Sequence, residues 1–139
     1  MSSCLFCKIA KNEIPSEIVF EDSDVKVFKD LHPKAPVHLL VIPKMHIQSI
    51  AHLDPVRSKT PGASAIPPLA EWTSNRVEAD HGDIIAKLIY TAKKVAEELD
   101  LKGYKLVFNV GREGGQVIDH LHLHLLGGWK SKEGRSLNV

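Results

Sequence analysis

His120, His122 and His124 alternate strictly with Leu121, Leu123 and Leu125. A period of two predicts a strand with one polar and one apolar face, so the three imidazoles share a face. A neutral imidazole can serve as nucleophile, proton carrier or metal ligand near pH 7. At a rise of roughly 3.3 Å per residue, His120 and His124 stand about 13 Å apart at the backbone, which is awkward for three rings around one small tetrahedral ion. The histidines are therefore expected to divide their tasks. Eight histidines in 139 residues, three of them within five positions, weigh against a half-exposed strand that happens to carry polar rings.

The second set of chemical residues is Cys4-Leu5-Phe6-Cys7, which holds both cysteines of the chain. One pair is too few for a disulfide scaffold, and a redox motif would normally follow a core strand, which is missing here; half a zinc site fits better. His46 and one of the three clustered histidines are the available donors for a closed Cys₂His₂ set. The alternative is two unmetallated thiols, with Leu5 and Phe6 in the core. His38 lies inside the apolar run Val37-His38-Leu39-Leu40-Val41-Ile42, where local chemistry favours a satisfied core residue over a catalyst.

These residues need a scaffold, and the chain supplies its signals in order. A short helix is predicted around residues 8–11, followed by a hairpin of strands 18–21 and 25–28 about the polar turn Glu21-Asp22-Ser23-Asp24. Two prolines hold an irregular bend at 30–36 before a mostly buried third strand, 37–42, which stops at Pro43. Ile84, Ile85, Leu88, Ile89, Ala92, Val95, Ala96 and Leu99 recur with helical period, capped by Asp80 or Asp83, with Gly103 just past the end. A fourth strand at 104–109 leads through a loop with three glycines to the histidine strand. Between Asp54 and Gly82 the pattern dissolves into prolines and small polar residues, a long connection read as a surface insertion in which residues 69–72, with Trp72, dock as a helical turn. The expected fold is α+β: a five-stranded antiparallel sheet covered on one face by one long amphipathic helix, with a short N-terminal helix, in a single domain spanning 1–139.

With 43% apolar and 25% charged residues the chain can bury a sizeable core. A net charge of +1, with Lys and Arg spread along the chain, offers no electrostatic footprint for nucleic acid or an anionic membrane. No apolar run approaches the ~18 residues of a membrane span, and no targeting segment is visible, so the cytoplasm is the expected location. Small ligands are the expected partners.

His120-x-His122-x-His124 flanked by leucines resembles the signature of the histidine triad family, and Leu125-Leu126-Gly127-Gly128 is similar to the ending of its Hint branch. Residues 30–44, with Asp30, Pro33, Ala35, Pro36, His38 and Pro43-Lys44, resemble the family's N-terminal motif, and residues 109–116 its glycine loop. Cys4-x-x-Cys7-Lys8-Ile9 with Glu13-Ile14-Pro15 is similar to the opening of the zinc-containing members. Four motifs in the family's order cover nearly all of the chain outside the insertion.

The resemblance implies a hydrolase or nucleotidyl transferase acting on purine nucleotides, best expressed as a purine nucleoside phosphoramidase that cuts a P–N bond. The middle histidine, His122, would be the nucleophile, forming a nucleotidyl-imidazole that water hydrolyses. His124 would contact the phosphate or leaving group, and His38 matches a further active-site histidine, which reverses its local reading. Asp30 matches the acid that accepts bonds from the ribose hydroxyls, Leu31 and Phe28 would line the base pocket, and Asn109, Gly115 and Gln116 match the phosphate neighbourhood. Val117 departs from the pattern, standing where many Hint proteins carry a hydroxyl residue near the phosphate. The resemblance also implies one structural Zn²⁺ per chain on Cys4, Cys7, His46 and His120, and a homodimer with its two sheets joined. Two alternatives stand beside this reading. One is a dinucleoside polyphosphate hydrolase, against which the Gly127-Gly128 ending argues; the other is a nucleotide-binding or scaffold module with incidental hydrolysis.

Overall fold

The computed structural model describes residues 4–53 and 81–130. Helix α1 (Leu5–Ala10) precedes strands β1 (Ile18–Glu21), β2 (Val25–Lys29) and β3 (Val37–Pro43); helix α2 (His81–Glu98) precedes β4 (Tyr104–Val107) and β5 (Leu123–Gly127). The expected docking turn at 69–72 and the Asp80 cap lie outside the described residues. His81 and Gly82, assigned from sequence to the insertion, instead open α2.

The strands form one antiparallel sheet in the order β1-β2-β3-β5-β4. Asp22 sets the first hairpin: its Oδ1 accepts the N–H groups of Asp24 and Val25, both at 2.8 Å, so the side chain imitates a backbone turn. β3 is central, pairing Val25–Lys29 on one side and Leu123–Gly127 on the other. A strand with neighbours on both sides and cover on both faces tolerates little polarity, which is why residues 38–43 are all buried.

One face packs on α2, where Val25, Val27, Leu39, Val41, Leu121, Leu123 and Leu125 meet Ile84, Leu88, Ala92, Val95 and Ala96. The other face is covered by the short helix. Phe6, Ile9 and Ala10 of α1 pack there on Phe28, Leu40 and Ile42. The short helix is longer at its N-terminal end than expected and takes in Cys7, with Cys4 as its N-cap. Six residues form no stable helix alone, and this one is tied down by Lys26. That lysine is fully buried on β2, and its Nζ donates to the Ile9 carbonyl at 2.7 Å and to Asn12 Oδ1 at 2.6 Å.

Both helices end on a left-handed residue that is not glycine. Asn12 (φ 61°) follows α1 and Asp100 (φ 55°) follows α2. After α2, Asp100 N–H donates to the Glu97 carbonyl and Leu101 N–H to the Ala96 carbonyl, the paired bonds that close a helix C-terminus. Gly103 lies too far on to be that cap; a short polar side chain takes the left-handed position in its place.

Candidate functional site

The histidine segment is less regular than its alternation predicts. β5 begins at Leu123, so His124 belongs to a strand while His120, Leu121 and His122 lie in an irregular lead-in that starts from a bend at His120. The ladder with β3 stops at Val41 opposite Leu123. Beyond it, Leu121 N–H donates to the Ile47 carbonyl at 2.6 Å and the Pro43 carbonyl turns to the His120 ring. Side chains still alternate, with leucines in the α2 core and histidines on the α1 face, but every residue from 120 to 126 is buried. The half-exposed strand is thereby excluded.

Fixed backbone groups decide which nitrogen of each ring carries its proton. The His120 carbonyl can only accept, so His122 donates to it through Nδ1–H at 2.7 Å and keeps a lone pair on Nε2. The Pro43 carbonyl likewise takes Nε2–H of His120 at 2.8 Å, leaving the His120 Nδ1 lone pair free to coordinate. The Lys34 N–H donates to His38 Nδ1 at 3.0 Å, so the His38 proton is on Nε2, which donates to His124 Nδ1 at 2.9 Å. His124 then carries its proton on Nε2, 3.5 Å from the Asn109 side-chain nitrogen. An anionic oxygen placed between those two nitrogens would accept from both.

Burial keeps these rings neutral. It pushes His124 down to about 4, with the neighbouring His122 and His38 rings adding to the shift. It also lowers His122, against a partial opposing pull from the His120 carbonyl and Asp30. His38 is lowered by burial too, although Asp30 Oδ2 stands 3.4 Å from its Nε2 and favours the charged form. His122 is thus a neutral imidazole with a free lone pair, and His124 beside it, 5.0 Å between ring centroids, is a neutral donor.

A separate cluster lies beyond His122. Cys7 Sγ is 3.1 Å from His46 Nδ1 and 3.4 Å from His120 Nδ1; Cys4 Sγ is also 3.4 Å from His120 Nδ1, and the two Nδ1 atoms are 3.2 Å apart. All four atoms lie within 4.8 Å of one another, an arrangement that could hold a metal ion. Asp30, His38 and His124 form a second such group. The structure therefore brings together Cys4, Cys7, His46 and His120 on one side of His122, and Asp30, His38 and His124 on the other.

The residues expected to bind substrate sit in varied surroundings. Leu31 is 84% exposed and Val117 74% exposed, whereas Phe28 is buried against Phe6 rather than open to a ligand. The glycine loop turns on two left-handed glycines, Gly111 (φ 71°) and Gly115 (φ 92°), positions that side chains rarely adopt. Gln116, expected near phosphate, has its amide committed to the protein. Its Oε1 accepts the Gly111 N–H at 3.0 Å, while Nε2 donates to the Gln48 and Ile118 carbonyls at 2.8 and 2.9 Å. Arg112 closes the same loop with a two-pronged ion pair to Asp119 at 2.9 and 3.0 Å. The sequence reading assigned no role to Arg112 or Lys26. Nor did it see that Phe6 packs against His120 and His122, because each of these contacts joins separate motifs.

Residues 11–131 match the HIT domain pattern. The chain belongs to the HIT family. The purine nucleoside phosphoramidase of Escherichia coli K12 is 36% identical over 126 residues, 89% of this chain and 86% of the relative. Adenylylsulfatase HINT1 of Arabidopsis thaliana is 40% identical over 128 residues, 91% of this chain and 72% of the relative. A histidine triad protein from Clostridium difficile superposes with a TM-score of 0.72 at 34% identity, covering 94% of this chain and 95% of that one. As a HIT protein the chain is a nucleotide-binding hydrolase.

Proposed function

We propose that this HIT protein hydrolyses the P–N bond of purine nucleoside 5′-phosphoramidates through a nucleotidyl intermediate on His122. The observation that carries the reading is the His122 ring itself, neutral, with Nδ1–H spent on the His120 carbonyl and Nε2 left as a lone pair. In the first half-reaction Nε2 bonds to the α-phosphorus while the bond from phosphorus to the amine nitrogen breaks. That nitrogen takes the proton from His124 Nε2. His122 gains a positive charge as His124 loses its proton, so the pair keeps a constant total charge. In the second half-reaction water supplies hydroxide to phosphorus and returns a proton to His124, releasing the nucleotide and His122. His38 holds the His124 ring through Nδ1, and Asp30 accepts ribose hydroxyls beside it. The relative's name, purine nucleoside phosphoramidase, supports this substrate class.

A second reading, that sulfate rather than an amine departs, is favoured by the Arabidopsis relative named as an adenylylsulfatase. Rates on an adenosine phosphoramidate, adenylyl sulfate and a diadenosine polyphosphate separate the possibilities, with the phosphoramidate expected to be fastest. Turnover of none of the three would favour a binding module. Rapid quenching with labelled phosphoramidate is expected to trap a nucleotidyl-protein. His122→Ala should lose that intermediate and essentially all turnover while still binding the nucleotide, since the ring supplies a covalent bond rather than most of the binding surface. Near-normal turnover by His122→Ala would remove the nucleophile assignment.

We further propose that the Cys4, Cys7, His46 and His120 cluster holds one structural Zn²⁺. Bond lengths of about 2.3 Å to sulfur and 2.0–2.1 Å to nitrogen imply tetrahedral edges of roughly 3.3–3.8 Å. Four of the six donor separations, at 3.1–3.4 Å, lie within about half an ångström of those edges, and all six are within 4.8 Å. Four protein donors would leave no open position, so the ion would brace α1 rather than activate water. Two thiols kept for a metal suit a reducing compartment such as the cytoplasm. A homodimer through the β4 edge is supported by exposed Tyr104 and Leu106 on that terminal strand and by exposed Ile89 and Tyr90 on α2. Sedimentation at micromolar concentration should give twice the chain mass.

A further inference from the structure

Phe6 stands between the Cys/His cluster and the histidine that attacks. It lies in α1 between the two cysteines, 5% exposed. Its ring meets His122 edge-on, with 5.1 Å between centroids and 84° between planes, and meets His120 at 6.1 Å and 77°. Phe28 backs it from the sheet at 5.5 Å. The far end of the same helix is clamped by Lys26 through the Ile9 carbonyl.

Three contacts hold the His122 ring; the His124 ring edge lies 5.0 Å away between centroids, and the other two lead to the cluster. The His122 Nδ1–H is held by the carbonyl of His120, whose own ring sits among Cys4, Cys7 and His46. A hydrogen bond at Nδ1 limits the turning of the ring, but the torsion of a histidine ring has a broad well, so one bond leaves the plane room to swing. The Phe6 edge supplies the restraint on the plane that comes from the cluster, beside the one that the His124 ring supplies. A ring that must present Nε2 in line with a P–N bond depends on that plane, since small errors in approach carry large losses in rate.

We propose that Phe6 is a positioning residue: together with the His120 carbonyl it transmits the assembly of the Cys4/Cys7/His46/His120 cluster to the orientation of the His122 ring, without touching the substrate. This rests on the reading of His122 as nucleophile. The cluster thereby controls reactivity through geometry, although it takes no part in the reaction.

The test reads the ring directly. Histidine side-chain ¹H–¹⁵N spectra of zinc-loaded wild type should show one sharp set of His122 ring signals with through-space contacts to the Phe6 ring. In Phe6→Ala those signals should broaden or double, kcat should fall roughly tenfold, and KM should stay within about threefold. Phe6→Leu keeps most of the volume without the planar edge, should show the same change in smaller degree, and serves if Phe6→Ala fails to fold. Removing zinc from wild type by chelation should disturb the same His122 signals, a readout independent of turnover. Unchanged His122 signals after chelation, or in folded Phe6→Ala or Phe6→Leu, would overturn the proposal. So would a rise in KM at constant kcat, which would make Phe6 a substrate contact. Trapping of the nucleotidyl-protein tests the nucleophile separately, so absence of the intermediate sinks that reading whatever the ring spectra show.

Discussion

A neutral imidazole has two tautomers, and a lone pair at Nε2 exists in one of them. In this protein the choice is made by groups that cannot titrate: the carbonyls of His120 and Pro43 and the amide of Lys34. Their cost appears at low pH. Folded His38 and His124 lie below their ordinary value, His124 at about 4, because burial disfavours the charged ring. Below pH 6.5 the unfolded chain therefore binds protons that the folded chain refuses, so stability is full above that pH and falls as pH drops towards 4. Each such histidine contributes a slope of up to about 1.4 kcal/mol per pH unit. Urea unfolding at pH 7, 6 and 5 should show the midpoint falling in wild type and falling less in His124→Gln. A midpoint independent of pH over that range would mean that the rings are not held neutral.

Elements matter here as mounts for those groups. The loop between β4 and β5 is braced by Gln116, whose amide joins Gly111, Gln48 and Ile118. Gln116→Ala should cost roughly 1–3 kcal/mol, because backbone groups lose their partners, and should lower kcat through a slack loop. A purely ligand-facing glutamine would raise KM and leave the melting temperature alone, so the two measurements together separate the roles. Helix α1 depends in the same way on Lys26. Lys26→Met preserves much of the buried volume but leaves the Ile9 carbonyl and the Asn12 amide oxygen without their donor, at roughly 1–3 kcal/mol for each group that water cannot reach. Chemical denaturation should register that loss. An unchanged midpoint would show that α1 holds its place without the clamp.

At the scale of the whole molecule, the sheet separates two kinds of interior. The face against α2 is a conventional apolar core, with Leu88, Ala92, Val95 and Leu125 fully buried. The face against α1 carries Lys26, the histidines and the thiols, and much of its order comes from directed contacts rather than area. Metal binding should accordingly stabilise the fold by mass action, by about 4 kcal/mol when free ion exceeds its dissociation constant a thousandfold. Elemental analysis should find one zinc per chain, and chelation should lower the melting temperature. Metal-free protein of unchanged melting temperature would return Cys4 and Cys7 to the role of buried thiols.

What the sequence determined by itself was the periodic patterning that depends on neighbours along the chain. The period of 3.6 in residues 84–99 produced α2, the Asp22 turn produced the first hairpin, and strict alternation put three imidazoles on one side of a backbone. The order of four motifs carried the family, because motif spacing is itself a local property. Tertiary structure decided the rest. His38 and His124 are 86 residues apart, and Cys4 and His120 are 116 apart, so no local pattern could state that the first pair shares a proton while the second shares a cluster. For Gln116 the distant partner is the Gln48 carbonyl, 68 residues away, which its amide bonds together with the nearby Gly111 and Ile118. Gly103 is a local matter by contrast, since Asp100, two residues past α2, closed the helix first. A side chain's type limits the bonds it can make, but which of them it makes depends on the groups that folding brings within about 3 Å.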